Sequence, residues 1–313
     1  MHPAPSVIVF TVSSGLGFGM MFWLGLGFGF APEADVAGPV TGLFALAFAG
    51  LGLLASTFHL GNPQRFLKAF TQWRSSWLSR EGCVSVALMS LFFLYVAGWA
   101  VTGEPSRLLG VVAAALSVVA VFCTAMIYAQ LKTVPRWSNP ATAPMFLGFS
   151  AGGGAIAVGL AATMAGGAAS LFLALALLAA SAAMWIYRRV ALPVTLSDVG
   201  SSPETATGLG GLGKVRLLES PHSQPNYLMK EMVFRVGRKH AEKLSLIASV
   251  VGVFAPLFLF VLCRDPEGFG LSHMVAAIGL FLALILHIIG ALASRWLFFA
   301  EAEHAVGLYY GQR

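Results

Sequence analysis

The chain has 313 residues, of which 58% are hydrophobic and only 10% are charged, and its formal net charge is +6 at pH 7. Soluble globular domains carry about 25% charged residues, so this composition excludes an ordinary soluble protein. A transmembrane helix needs about 20 apolar residues, and eight such helices with their loops use the whole length. We therefore predict an all-α integral membrane protein, a bundle of eight transmembrane helices that forms a single domain over residues 1–313.

Apolar runs along the chain predict these eight helices in order. They lie at residues 6–30, 38–60, 82–102, 107–130, 142–165, 169–189, 243–263 and 272–299. Each run is interpreted as helical because a backbone in lipid must satisfy its own hydrogen bonds. In the first helix, the pairs Gly15/Gly19 and Gly25/Gly29 have the spacing of small residues that lets two helices approach closely. This spacing indicates packing rather than chemistry.

The stretch between the sixth and seventh helices differs from the rest of the chain because it is polar. Residues 190–242 are rich in Gly, Ser and Pro early and in Lys and Arg late. We predict a long loop followed by a surface helix over residues 227–243. Within the loop, residues 208–213 match the pattern GxGxxG by letter. No strand is predicted before them, so the context of a dinucleotide site is missing and a flexible linker is the better interpretation.

The basic residues predict how the helices are oriented. With eight spans, both termini lie on one side of the membrane, together with the loops after helices two, four and six. Of the 19 Lys and Arg residues, that side holds four in 61–81, two in 131–140, nine in 188–243 and two from Arg295 to the end. The other side holds only Arg107 and Arg264. The positive-inside rule therefore predicts that both termini and the long loop are cytoplasmic.

The densest group of polar residues lies in the loop between helices two and three. His59 falls at the cytoplasmic end of helix two and Glu81 at the cytoplasmic start of helix three. A hairpin of the two helices would bring both side chains to a similar depth. A quinone site needs an apolar slot open to lipid, partners for two carbonyls and a group that passes protons. Histidine suits the carbonyl contact because its proton exchanges near neutral pH, and a glutamate can relay protons.

Four more residues of this loop are candidates for binding quinone, namely Arg65, Arg74, Trp77 and Arg80. The arginines could stabilise a reduced, anionic form of the quinone or pair with a docked protein. Plainer explanations stay open. His59 and Glu81 could each complement a helix dipole, and the arginines could be topology signals alone.

His287 lies within the eighth helix, and an ionisable residue inside the membrane is a functional candidate by default. Ligation of haem b would usually need a second histidine at similar depth on another helix. His59 and His304 lie nearer the cytoplasmic edge, and His273 lies nearer the opposite edge. We therefore expect a structural hydrogen bond for His287 and no haem b.

The three cysteines, Cys83, Cys123 and Cys263, are far apart in the sequence and form no CxxC cluster. This spacing provides neither a disulfide framework nor a set of iron–sulfur ligands. We interpret the cysteines as helix-packing residues and predict no metal site in this chain.

The loop after helix two resembles the membrane anchor subunits of dimethyl sulfoxide reductase type enzymes. The resemblance is carried by His59-Leu60-Gly61, Pro63, Arg65, Ser79, Glu81, Tyr128-Ala129, Leu131-Lys132, Trp137 and Asn139-Pro140. It extends to the eight-helix plan of the whole chain. It implies that His59 and Glu81 belong to a quinone site. It also implies a molybdopterin catalytic subunit and a four-cluster iron–sulfur subunit as partners, which fits the absence of cysteine clusters here.

Members of that family differ in the side of the membrane on which the partner subunits dock. The quinone site and the docked iron–sulfur subunit should share a face, because electrons pass between the quinone and the nearest cluster. Here that face is predicted to be cytoplasmic, and the chain resembles the anchors of membrane-bound sulfite dehydrogenases, also in residues 230–235 and 295–301. We expect a subunit of a sulfite:quinone oxidoreductase in the bacterial inner membrane. The subunit is not catalytic on its own, and its quinone is ubiquinone or menaquinone.

Three other functions stay open at this point. A quinol-oxidising anchor of a dimethyl sulfoxide reductase type enzyme would use the same site in the opposite direction. A transporter would place polar groups at the bilayer midplane, with broken helices and paired repeats, whereas this sequence concentrates its polar groups at one face. A purely structural anchor would not contact quinone.

Overall fold

The structure is a computed structural model that describes residues 2–30, 36–58, 62–216, 218–219 and 240–310. The described residues form helices and no strands, and eight of the helices are long and apolar enough to cross a membrane. In chain order these are α1 Pro5–Gly25, α2 Ala37–Thr57, α3 Trp77–Thr102, α4 Arg107–Ala129, α5 Thr142–Met164, α6 Leu171–Val190, α7 Ala241–Cys263 and α8 His273–Ala300. The all-α architecture and the number of candidate spans agree with the prediction.

Shorter helices lie in the connections and after α8. They are the 3₁₀-helix Pro63–Phe70, the α-helix Pro203–Thr207, and the 3₁₀-helices Gly210–Leu212 and Ala305–Tyr310. The surface helix predicted over 227–243 lies outside the described residues, except for its last four residues, where α7 begins. In the described part of the 190–242 loop, no strand precedes Gly208, which is consistent with a linker.

Two helix ends differ from the sequence prediction. The first helix stops at Gly25 rather than residue 30, because Gly27 has a φ of 81° that a right-handed helix cannot contain. The third helix begins at Trp77 rather than residue 82. The side chain of Ser76 accepts a hydrogen bond from the Ser79 backbone N–H and so caps the first turn. Glu81 therefore lies inside α3, one turn beyond its start.

The interior of the bundle is built around α1, which packs against α2, α4 and α5. Glycines allow these close approaches. A Cβ on Gly19 would overlap the Ser150 carbonyl of α5, and one on Gly25 would overlap the Gly110 carbonyl of α4. The packing role predicted for Gly19 and Gly25 is confirmed. Gly15 touches α5 only at ordinary distance, and Gly29 lies beyond the end of α1.

An irregular stretch of α7 explains the position of His287. Residues Ile247–Phe254 form a π-helix, and Pro256 follows within the same helix. Proline has no backbone N–H, so the carbonyl of Gly252, four residues earlier, loses its usual helical donor. The Nδ1 atom of His287 lies 2.8 Å from that carbonyl, and its Nε2 lies 3.3 Å from the Phe149 carbonyl of α5. A neutral imidazole carries one N–H, so His287 donates to one of these two carbonyls. It therefore makes the structural hydrogen bond that the sequence predicted, and it holds α8 close to α7 and α5.

Candidate functional site

Several connecting segments meet at one end of the bundle. The indole N–H of Trp137 donates to the Phe298 carbonyl at 2.7 Å, and the guanidinium of Arg136 donates to the Glu301 carbonyl at 2.8 Å and the Val194 carbonyl at 3.2 Å. The Ala305 N–H donates to the Thr133 carbonyl at 2.9 Å. We call this end, formed by residues 62–76, 130–141, 191–196 and 301–310, the basic face. Its segments are among those that the charge count placed on one side.

One member of that charge count does not belong to the basic face. Arg295 was counted with the C-terminal residues as a topology signal, but it lies within α8 and is only 4% exposed. Its guanidinium faces the interior of the bundle rather than lipid headgroups. Arg295 therefore adds little to the charge of the basic face, and the remaining basic residues carry the orientation argument.

A cavity of about 380 Å³ lies between α2 and α3 near the basic face. Its walls are mainly apolar side chains of the two helices, with Phe10 of α1 at the back. Leu54 and Val86, which line it from α2 and α3, are 61% and 53% exposed on the outer surface of the bundle. The cavity therefore opens sideways, to the surface that lipid covers when the helices span a membrane. We call it the α2–α3 cavity.

Glu81 is the carboxyl group in the wall of this cavity. It is only 3% exposed, and its Oε1 accepts a hydrogen bond from the hydroxyl of Thr124 on α4. The same threonine hydroxyl also reaches the carbonyl of Ala120, one turn earlier in α4, at 3.1 Å. Since a helix-bound hydroxyl has little freedom, Thr124 fixes the orientation of the carboxyl group.

Ser85 follows Glu81 by one helical turn and lines the same cavity. Its side chain is buried, and its Oγ has no hydrogen-bond partner among the described residues. Buried hydroxyls almost always have a partner, so an unpartnered one in a cavity wall is available to a bound molecule. Sequence analysis missed both Ser85 and Thr124. The four-residue spacing from Glu81 was a signal for Ser85, whereas nothing in the sequence pointed to Thr124.

The 3₁₀-helix Pro63–Phe70 covers the end of the cavity at the basic face. Its last residues, Ala69 and Phe70, are part of the lining. The hydroxyl of Ser79 donates to the Ala69 carbonyl, and the ring of Phe70 packs against Gly82, where an added Cβ would lie 3.1 Å away. These contacts hold the loop after α2 against the first turns of α3.

His59 and the side chain of Arg65 lie outside the described residues. The gap at 59–61 follows Ser56 and Thr57, which line the cavity from the end of α2. It precedes the 3₁₀-helix that covers the cavity. The predicted pairing of His59 with Glu81 stays a prediction, and the described chain on either side of His59 borders the cavity that contains Glu81.

The other predicted residues, Arg74, Trp77 and Arg80, lie where the basic face joins the first turn of α3. The guanidinium of Arg80 lies 4.3 Å from the ring centroid of Trp77, and it donates to the carbonyls of Trp73 at 2.9 Å and Arg74 at 2.7 Å. Arg80 thereby holds the loop before α3 in place. Arg74, Trp77 and Arg80 do not line the α2–α3 cavity, so the structure does not place them in the same cavity wall as Glu81.

Residues 1–217 match the protein family described as DMSO reductase anchor subunit (DmsC). The chain belongs to this family. It is also similar to the C subunit of sulfite dehydrogenase from Allochromatium vinosum, with 31% identity over 335 aligned residues that cover 99% of each chain. A further relative is anaerobic dimethyl sulfoxide reductase chain YnfH of Escherichia coli K12, with 33% identity over 149 residues, 45% of this chain and 51% of that one.

The resemblance read from the loop residues is thereby confirmed, and the protein is a multi-pass membrane anchor subunit. The family match includes the α2–α3 cavity and Thr124, and it ends before α7 and α8. The similarity to the sulfite dehydrogenase protein extends over those two helices as well. It therefore also covers His287 and Arg295.

Proposed function

We propose that this anchor subunit binds a quinone in the α2–α3 cavity and passes electrons between it and an iron–sulfur subunit docked on the basic face. The observation that carries the proposal is a buried carboxyl, Glu81, in the wall of an apolar cavity that opens toward lipid. The volume of 380 Å³ lies within the range of about 300–1,000 Å³ that is usual for small-molecule sites.

The residues present fit a quinone headgroup. The apolar side chains of α2 and α3 suit its ring, and the unpartnered hydroxyl of Ser85 can donate to one carbonyl. A bound quinone supplies two-electron chemistry in which two protons are taken up on reduction. Glu81 lies where it can give or accept one of these protons, and the hydroxyl of Thr124 keeps its carboxyl group oriented. His59 is proposed to hold the second carbonyl.

The electrons are proposed to come from sulfite that a molybdopterin subunit oxidises in the cytoplasm. Similarity to the C subunit of sulfite dehydrogenase over the whole chain supports this direction, as does the excess of basic residues on the face where the iron–sulfur subunit would dock. Because its three cysteines are dispersed, this chain offers no set of iron–sulfur ligands, and the clusters are proposed to lie in the partner subunit. In this proposal both termini of the chain are cytoplasmic, and the membrane is the bacterial inner membrane.

A second candidate function is quinol oxidation for a dimethyl sulfoxide reductase type enzyme. The similarity to chain YnfH favours it, although that similarity spans only half of each chain. Both functions use the same cavity and differ in the direction of electron flow. Turnover of the purified complex with sulfite and a quinone, compared with turnover with a sulfoxide and a quinol, decides between them.

His59→Ala is expected to lower quinone-linked turnover of the complex about 100-fold or more, because it removes a proposed carbonyl partner and proton-exchanging group. Activity with an artificial electron-accepting dye, which does not need the anchor, should stay unchanged. Both activities are measured on membranes that contain equal amounts of the anchor subunit. Unimpaired quinone coupling in this variant would remove His59 from the site.

Ser85→Phe tests the cavity itself. The larger side chain occupies volume between α2 and α3, so the affinity for a quinone analogue should fall about tenfold or more. Ser90→Phe is the matched control, because Ser90 lies on the exposed side of the same helix. Binding is measured by fluorescence quenching with the purified complex in lipid nanodiscs. Equal affinities of the two variants would place the quinone elsewhere.

A further inference from the structure

The side chain of Arg295 is buried near the C-terminal end of α8, on the side of the helix that faces the bundle. Its guanidinium carbon lies 3.4 Å from the ring centroid of Phe146 and 5.8 Å from that of Phe149, both on α5. Its Nη1 atom has no hydrogen-bond partner among the described residues. An arginine keeps its positive charge in proteins, and a buried charge is costly unless a partner of opposite charge compensates it. The faces of the two aromatic rings attract the guanidinium and offset part of this cost, but they do not replace a carboxylate.

A small internal cavity of about 30 Å³ lies next to this guanidinium. Its polar lining includes Arg295, His287, Ser14, Ser150 and Thr124, from four different helices. A cavity holds a water molecule when its volume reaches about 10–15 Å³ and it offers two to four polar partners. This cavity therefore has room and partners for one or two waters.

Thr124 connects this internal cavity with the proposed quinone site. Its side chain lines the internal cavity, and its hydroxyl donates to Glu81, which lines the α2–α3 cavity. Among the described residues, one acidic residue is buried, Glu81, and one arginine is buried, Arg295. The Thr124 side chain and the internal cavity therefore lie between the two buried groups of opposite charge.

We propose that Arg295 and Glu81 form a water-mediated ion pair across Thr124. The bridging water accepts from Nη1 of Arg295 and donates to the hydroxyl oxygen of Thr124, whose own hydrogen is donated to Glu81. Arg295 then supplies the opposite charge for Glu81 whenever its carboxyl group has lost the proton.

The role of this ion pair in quinone chemistry rests on the proposed function. In that role, Arg295 is a positioning residue that acts through Glu81 and does not touch the quinone. The ion pair itself follows from the burial, the internal cavity and the shared threonine, whether or not quinone binds in the α2–α3 cavity.

A double-mutant cycle tests the pair. Thermal unfolding of the purified complex is followed for the wild type, Glu81→Gln, Arg295→Met and the double variant, by reaction of the buried cysteines Cys123 and Cys263 with a thiol-reactive dye. Glu81→Gln leaves a buried guanidinium without its carboxylate, so it should lower the unfolding temperature. The double variant should unfold at the same temperature as Glu81→Gln or higher. If Arg295→Met does not insert into the membrane, Arg295→Gln takes its place in the cycle.

Variants of Thr124 test whether its hydroxyl group bridges the two charges. Thr124→Val removes the hydroxyl at nearly constant volume and should abolish the coupling between Glu81 and Arg295, whereas Thr124→Ser should keep it. A high-resolution electron microscopy map of the complex should show water density between Thr124 and Arg295. Additive changes in the cycle, or coupling that is unchanged in Thr124→Val, would overturn the ion pair. Quinone turnover does not enter this test, so its result is independent of the proposed function.

Discussion

Glu81→Gln is expected to lower quinone-linked turnover of the complex about 100-fold or more. Glutamine has nearly the same shape and can still accept the hydrogen bond from Thr124, but it cannot give or accept a proton. The loss follows from the typical contribution of a positioned acid–base group, about 10²- to 10⁴-fold. The measurement is the rate of quinone reduction with the physiological electron donor, normalised to the dye-linked rate of the same preparation.

Two comparisons make the Glu81 experiment specific. Glu104→Gln changes an exposed carboxyl in the connection between α3 and α4, at the other end of the bundle, and should leave turnover unchanged. Binding of a quinone analogue to Glu81→Gln should be weakened less than turnover, because the apolar walls of the cavity are intact. A turnover rate of Glu81→Gln equal to that of the wild type would exclude this carboxyl as the proton-transferring group.

Gly19→Val should have the largest effect on the amount of folded protein. The side chain would overlap the backbone of α5 at Ser150, and the neighbouring Gly154 would meet α1 in the same way. Flexible side chains cannot relieve this overlap because the atoms belong to the backbone, so α1 and α5 must separate. We expect a loss of stability of about 3 kcal/mol or more, at or above the upper end for overpacked cores.

Gly15→Val is the matched control for this variant. Gly15 lies one turn earlier on α1, and a Cβ there would be 4.0 Å from the Cβ of Ser150, an ordinary contact. The two variants are compared by the yield of monodisperse protein after detergent extraction and by the thermal unfolding temperature. Similar yields and temperatures for the two would contradict the close α1–α5 packing.

Much of the fold followed from the sequence, since apolar runs of spanning length leave few alternatives in lipid. All eight predicted helices are present, and the pattern of basic residues agrees with the segments that meet at the basic face. The start of α3 was misplaced because the letters Trp77-Leu-Ser-Arg80 look like a polar loop. In the structure Ser79 bonds to the loop at Ala69 and Arg80 folds back over Trp77, so both residues are compatible with a helix.

The sequence by itself determined the membrane class, the number of helices and the carboxyl group around which the proposed site is built. Only the tertiary structure decided which polar residues meet Glu81. Serine and threonine are tolerated on any side of an apolar helix because their hydroxyls can bond to the carbonyl one turn earlier. Whether Thr124 faces lipid, another helix or a carboxyl group therefore depends on packing. The same holds for Arg295, whose place in the sequence suggests a headgroup contact and whose side chain lies inside the bundle.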